Sequence, residues 1–123
     1  MTALLDTSVL IGPPISDPPA ESAVSIVTIA ELRLGVLMAA SAEERAPRLA
    51  RLVAVESAYS PLPVDDGVAR SYALIVASER ERGRRPRALD ALIAATAHAR
   101  DLTLYTRDES LAKVTTVKVR LIR

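Results

Sequence analysis

Cysteine, phenylalanine and tryptophan are absent from this chain, and histidine occurs once, at His98. The first absence excludes disulfides and thiolate metal sites, and a single histidine excludes a histidine-rich zinc centre. Tyr59, Tyr72 and Tyr105 are the only aromatic residues, so stacking of bases on side-chain platforms is excluded as a main recognition mode. No apolar run approaches the ~18 residues of a membrane span, and no charged-then-apolar leader opens the sequence. We therefore expect a cytoplasmic protein with no membrane partner. A charge of one dominant sign is also missing. The net charge is +1, too small for bulk electrostatics to announce a polyanion binder.

What is present is small and aliphatic. Apolar residues make up 50% of the 123 positions, and a chain of this length buries about two-thirds of its unfolded surface as one domain. A single domain spanning 1–123 is expected, with a core of Leu, Val, Ile and Ala. Of the 16 basic residues 14 are arginine, and five of them fall in Arg80-Glu81-Arg82-Gly83-Arg84-Arg85-Pro86-Arg87.

Residues 3–5 form a short continuous apolar run, the pattern of a strand covered on both faces. Residues 7–11 can begin a helix that Gly12-Pro13-Pro14 stops within about a turn. The four prolines within 13–21 mark an irregular loop, and 23–27 reads as a second strand. A helix over 28–40 is predicted from Thr28 and Glu31 at capping-box spacing, with Ile29, Leu32, Val36 and Ala40 repeating behind them. Ser41-Ala42-Glu43-Glu44 can open another helix, with Pro47 marking a break or a restart; Leu49, Leu52, Val53 and Ala58 would be its inner face. Residues 62–64 suit an edge or connector. Asp65 or Asp66 caps the next helix, which faces inward through Val68, Tyr72, Ile75 and Val76 and ends near Gly83. Residues 88–99, nearly all apolar, predict a helix buried on most sides. Residues 102–105 and 117–122 read as the last strands. Strands alternating with helical stretches define an α/β fold with a mainly parallel sheet.

Four acids sit at junctions of these elements: Asp6, Glu31, Asp90 and Asp108. Each has a local explanation: an N-cap for Asp6, the capping box for Glu31, a first-turn acid for Asp90 and a turn or cap for Asp108. Asp90 resists its explanation most, because it interrupts a helix otherwise made of Ala, Leu and Ile. Ligands in open α/β sheets bind outside the carboxyl ends of the strands. Four acids crowded there would repel one another and raise each other's pKa. A hard cation such as Mg²⁺ or Mn²⁺ relieves that and takes oxygen ligands. It could orient a water and stabilise the charge of an in-line attack on phosphate. The arginines of 80–87 lead into the Asp90 helix. They are either phosphate contacts at the mouth of this site, with Arg82, Arg84, Arg85 and Arg87 as the candidates, or a solvated helix end. His98 reads as a packed or surface residue.

Leu4-Leu5-Asp6-Thr7-Ser8, Ser25-Ile26-Val27-Thr28-Ile29-Ala30-Glu31-Leu32, Asp90-Ala91-Leu92-Ile93-Ala94-Ala95-Thr96-Ala97 and Thr106-Arg107-Asp108 resemble, in order and spacing, the PIN-domain ribonucleases. Among these the resemblance is closest to the VapC-type toxins of bacterial toxin–antitoxin pairs. The resemblance implies a PIN-like three-layer α/β/α fold with a central, mostly parallel sheet of four to five strands. It implies an acidic quartet at Asp6, Glu31, Asp90 and Asp108, of which Asp6, Asp90 and Asp108 hold metal, with Ser8 and Thr106 as polar helpers. It further implies Mg²⁺- or Mn²⁺-dependent endoribonuclease activity on RNA, including tRNA or another structured RNA, that leaves 5′-phosphate and 3′-hydroxyl ends. A homodimer and a cognate antitoxin covering the site complete the expectation. Two places depart from the family pattern. The first connection is short and proline-rich where relatives often carry a longer helix, and Glu109-Ser110-Leu111 follows Asp108 where many show an aspartate–aromatic pair. Other readings are an RNA-processing nuclease outside a toxin–antitoxin pair, or an inactive PIN-like binding scaffold. Aspartyl-phosphate phosphatases want a second aspartate where Ser8 stands, and a phosphoacceptor receiver domain wants paired acids near its first strand.

Overall fold

The computed structural model describes residues 2–123. Strand β1 (Thr2–Leu5) leads through Asp6 into the short helix α1 (Thr7–Ile11), which ends at Gly12. After the proline-rich loop come β2 (Glu21–Ala23), α2 (Ile26–Leu37), α3 (Ala42–Ala58), α4 (Asp66–Glu81) and α5 (Ala88–Ala99). The chain finishes with β3 (Thr103–Thr106), α6 (Glu109–Ala112) and β4 (Val119–Leu121). The strands form one parallel sheet in the order β2-β1-β3-β4. Among the described residues the sheet thus has four strands, all parallel.

Alternation along the strands splits the core into two layers. Leu4 and Leu104 face one side and pack with Val68 and Ile75 of α4 and with Ile93 of α5. Ala3, Leu5 and Tyr105 face the other, with Val9 of α1, Ile29 and Leu32 of α2, and Leu52 and Val55 of α3. This is the expected three-layer α/β/α arrangement. Leu4, Ile75, Ile93 and Leu104 are fully buried, and each such side chain contributes about 1.5–3 kcal/mol of transfer free energy. Ala91, Ala94, Ala95 and Ala97 are buried on α5, whose small side chains permit close packing against its neighbours.

The order of the strands also fixes where a ligand can bind. From β1 the chain moves to one side of the sheet, to β2, and then crosses back to β3 on the other side. The carboxyl ends of β1 and β3 therefore flank a topological switch point. Leu5 pairs with Tyr105, which sets Asp6 beside Thr106.

Several local expectations are corrected. Strand β2 lies earlier than 23–27, and the next helix starts at Ile26, capped by the Ser25 hydroxyl, which accepts from Val27 N at 3.0 Å. Thr28 and Glu31 thus form no capping box; both lie inside α2, and α2 stops at Leu37, short of Ala40. Helix α3 runs through Pro47 unbroken, with Ser41 capping Glu44 N. Pro47 removes one donor near the start of a 17-residue helix, and the rest of the ladder carries on without it. Its inner face is Leu52 and Val55, while Leu49 and Val53 are exposed. Asp65 caps α4 as expected. The short helix α6 was not expected from the sequence.

Candidate active site

Asp6 is 4% exposed at the end of β1. It occupies the N-cap position of α1, yet its side chain makes no cap bond. Its Oδ2 instead accepts from Ser8 Oγ at 2.7 Å and from Thr106 Oγ1 at 2.8 Å. Those hydroxyls are held in turn by backbone donors: Arg107 N reaches Ser8 Oγ at 3.0 Å, and Asp108 N reaches Thr106 Oγ1 at 3.0 Å. One oxygen of Asp6 is thereby fixed by a relay through the ends of β1 and β3. Among the described residues no donor meets the other.

Glu31 projects from the second turn of α2. Its Oε1 accepts from Thr7 Oγ1 at 2.7 Å, and Thr7 Oγ1 also lies 3.0 Å from Thr28 Oγ1. Asp90 lies in the first turn of α5 with its side chain 16% exposed. Arg87 grips it with two bonds, Nε to Oδ2 at 3.0 Å and Nη2 to Oδ1 at 3.2 Å, and Arg87 Nη2 also stands 3.8 Å from Glu31 Oε2. Burial pushes the Asp90 carboxyl above its ordinary range; Arg87 opposes this, while the charges of Asp6 and Asp108 add to it. The Arg87 guanidinium is held more firmly protonated, first by its hydrogen bond to Asp90 and then by the charges of Asp90, Glu31 and Asp108. Asp90 shifts upward because its desolvation outweighs the help Arg87 gives, and Arg87 shifts upward because Asp90 stabilises its charge. Asp108 is the cap of α6, its Oδ1 accepting from Ser110 N at 2.8 Å and Leu111 N at 3.4 Å.

Asp6, Glu31, Asp90 and Asp108 all line one cavity of about 490 Å³, together with Thr7 and Ser8. The structure thus brings together the four acids singled out in the sequence, from four different elements. Of the arginine run, Arg84, Arg85 and Arg87 line this cavity. Arg82 does not; its guanidinium donates to Thr115 Oγ1. Arg84 is committed to Glu79, Nε to Oε1 at 2.8 Å and Nη2 to Oε2 at 3.1 Å. Arg85 is exposed and meets no acid among the described residues. His98 lies outside this cavity, its Nδ1 2.7 Å from Ser71 Oγ.

Two participants were missed in the sequence. Thr7, which anchors Glu31, was signalled only by its place between Asp6 and Ser8. Glu79 is 1% exposed and lines the cavity; its four-residue spacing from Ile75 on the buried face of α4 was the available clue.

Carboxylates and hydroxyls, with no nitrogen or sulfur donor, make a set suited to a hard divalent cation. Among the described residues, however, no three acids close on one point tightly enough to hold an ion. Arg87 stands between Asp90 and Glu31.

Residues 3–117 match the PIN-domain family. The chain belongs to that family. Ribonuclease VapC5 of Mycobacterium tuberculosis is 44% identical over 115 residues, covering 89% of this chain and 84% of its own. Ribonuclease VapC4 of the same organism is 39% identical over 123 residues, covering 95% and 94%. The crystal structure of VapBC-5, a member of the VapBC family of toxin–antitoxin systems from M. tuberculosis, aligns with a TM-score of 0.88 at 40% identity, covering 98% of each chain.

Proposed function

We propose that this chain is a metal-dependent endoribonuclease that hydrolyses RNA phosphodiester bonds and acts as the toxin of a toxin–antitoxin pair. The observation that carries this reading is the convergence of Asp6, Glu31, Asp90 and Asp108 on one cavity with arginines in its wall. The relatives named ribonuclease VapC, and the VapBC toxin–antitoxin structure, support it. Asp6, Asp90 and Asp108 would hold Mg²⁺ or Mn²⁺. Such an ion, once bound, supplies water activation and charge stabilisation for an attack on phosphorus.

The chain's own residues divide the remaining work. Ser8 and Thr106 fix one Asp6 oxygen and so orient the carboxylate toward the cavity. Thr7 holds Glu31 by one oxygen, and Glu31 would take a proton from the attacking water. Arg85, exposed and without an acidic partner among the described residues, is the group best placed for a phosphate of the RNA backbone. Water adds to phosphorus, the P–O3′ bond breaks, and the leaving 3′ oxygen takes up a proton, giving 5′-phosphate and 3′-hydroxyl ends. An antitoxin covering the cavity would silence the enzyme, and the active unit is a homodimer.

The test is cleavage of a mixed RNA substrate with Mn²⁺, with EDTA, and by Asp90→Asn, alongside growth on induction with and without the coexpressed antitoxin. We expect metal-dependent cleavage, its loss in Asp90→Asn, and growth arrest that the antitoxin relieves. Cleavage that survives EDTA, or that Asp90→Asn performs at the wild-type rate, overturns the proposal.

A further inference from the structure

We propose that Arg87 is a built-in counter-cation of the acidic cleft, occupying Asp90 and Glu31 until a divalent ion displaces it. The inference rests on reading the cleft as a cation site and concerns how that site is kept before the ion arrives. Arg87 sits at the N-cap position of α5 but makes no side-chain cap bond. Its side chain is 72% exposed, so little packing holds it there. What holds it is charge: two hydrogen bonds to Asp90 and a 3.8 Å approach to Glu31.

Three further features give this contact a role. Asp90 is largely buried near two other acids, an arrangement that needs a cation. One planar guanidinium spans both Asp90 oxygens, so an incoming ion meets a carboxylate already engaged and a positive charge already in place. Arg87 also engages Asp90, one of the three acids assigned to the ion, through both carboxylate oxygens. Two other arginines of the run have separate partners. Arg84 is clamped by buried Glu79, and Arg82 binds Thr115. Among the described residues, Arg87 alone of the run bridges two of the four acids.

Competition of this kind has a definite sign. Removing Arg87 should tighten metal binding and destabilise the metal-free protein, whereas an arginine that supports the metal site would do the opposite. The experiment is calorimetric titration of the EDTA-stripped full chain with Mn²⁺, for wild type, Arg87→Gln and Arg87→Lys, beside thermal melting without metal. Arg87→Gln should bind Mn²⁺ at least threefold more tightly than wild type and melt at a lower temperature without it. Arg87→Lys keeps the charge but loses the planar fork, and should fall between the two in affinity. Equal or weaker Mn²⁺ binding by Arg87→Gln overturns the proposal while leaving the cation site intact. Failure of wild type and Arg87→Gln alike to bind Mn²⁺ overturns the cation site itself, and the counter-cation with it.

Discussion

At the scale of single residues, the cleft depends on hydroxyl groups as much as on acids. Thr106 is fully buried and serves two masters, donating to Asp6 Oδ2 and accepting from Asp108 N. Thr106→Val keeps the shape and deletes both bonds. Leaving a buried polar partner unsatisfied costs about 1–3 kcal/mol, so urea unfolding should show a loss in that range. Mn²⁺ affinity should fall as well, because Asp6 is freed to rotate. A variant that loses stability but binds Mn²⁺ as wild type does would reduce Thr106 to a packing residue. Asp6 and Asp108 were legible because they stand just past apolar strands, and Asp90 because it interrupts an apolar helix. Ser8 and Thr106 entered through the family resemblance, and Glu31 through a capping box that does not form. Thr7 and Glu79 were not legible. Thr7 is defined by Glu31, 24 positions away, a contact no local pattern encodes, while Glu79 had only its helical spacing from Ile75 to mark it, its partner Arg84 lying past the end of α4.

At the scale of elements, caps decide where the acids point. Sequence spacing favoured Thr28 and Glu31 as a capping box, a local fit that tertiary contacts override. Ser25 takes the cap, α2 begins at Ile26, and Glu31 moves from a helix end to a second-turn position facing Thr7. The helix was legible and its first turn was not, because Ser25 and Thr28 both suit a cap, and the bridge from Ser25 to Leu62 holds Ser25 extended at the cap position. Asp65 shows the converse, a cap that sequence and structure agree on. Its carboxyl is held below the ordinary range, first by the Val68 N–H; desolvation opposes this, and the charge and hydrogen bond of Arg100 add to the lowering. A depressed folded-state pKa contributes stability that is complete above the unfolded pKa and is lost as pH falls through the folded one. At neutral pH the melting temperatures should therefore rank wild type above Asp65→Asn, and Asp65→Ala lowest. Asparagine keeps the acceptor but not the charge toward Arg100. The advantage of wild type over Asp65→Asn should shrink as pH drops below the ordinary carboxylate value. A gap that stays constant between neutral and acid pH would mean that the charge contributes nothing and the cap acts through its hydrogen bond alone.

At the scale of the whole molecule, one helix is apolar on more sides than the fold covers. Helix α2 buries Val27, Ile29 and Leu32, yet Leu34 is 57%, Leu37 78% and Met38, at its C-cap, 70% exposed. A helix that is hydrophobic all round is ordinarily buried all round. The uncovered side is not isolated from the cleft. Leu34, Gly35 and Met38 form a groove with Ala88 and Leu89 of α5, and its remaining lining residues, Glu31 and Arg87, also line the acidic cavity. A partner that covers the cavity and continues along α2 would bury this strip, and an amphipathic segment of the proposed antitoxin fits it by laying apolar side chains into the groove. Leu37→Glu and Met38→Glu put a charge into that contact. Both sites are exposed, so the free chain should change in stability by no more than about 0.5 kcal/mol, and its RNA cleavage should persist. Copurification of the coexpressed antitoxin should fall sharply for one or both variants, and growth arrest should return in its presence. If both variants retain the antitoxin at the wild-type ratio, α2 lies outside that interface. If they retain it but elute as monomers where wild type elutes as a dimer, the strip belongs to a second copy of this chain instead.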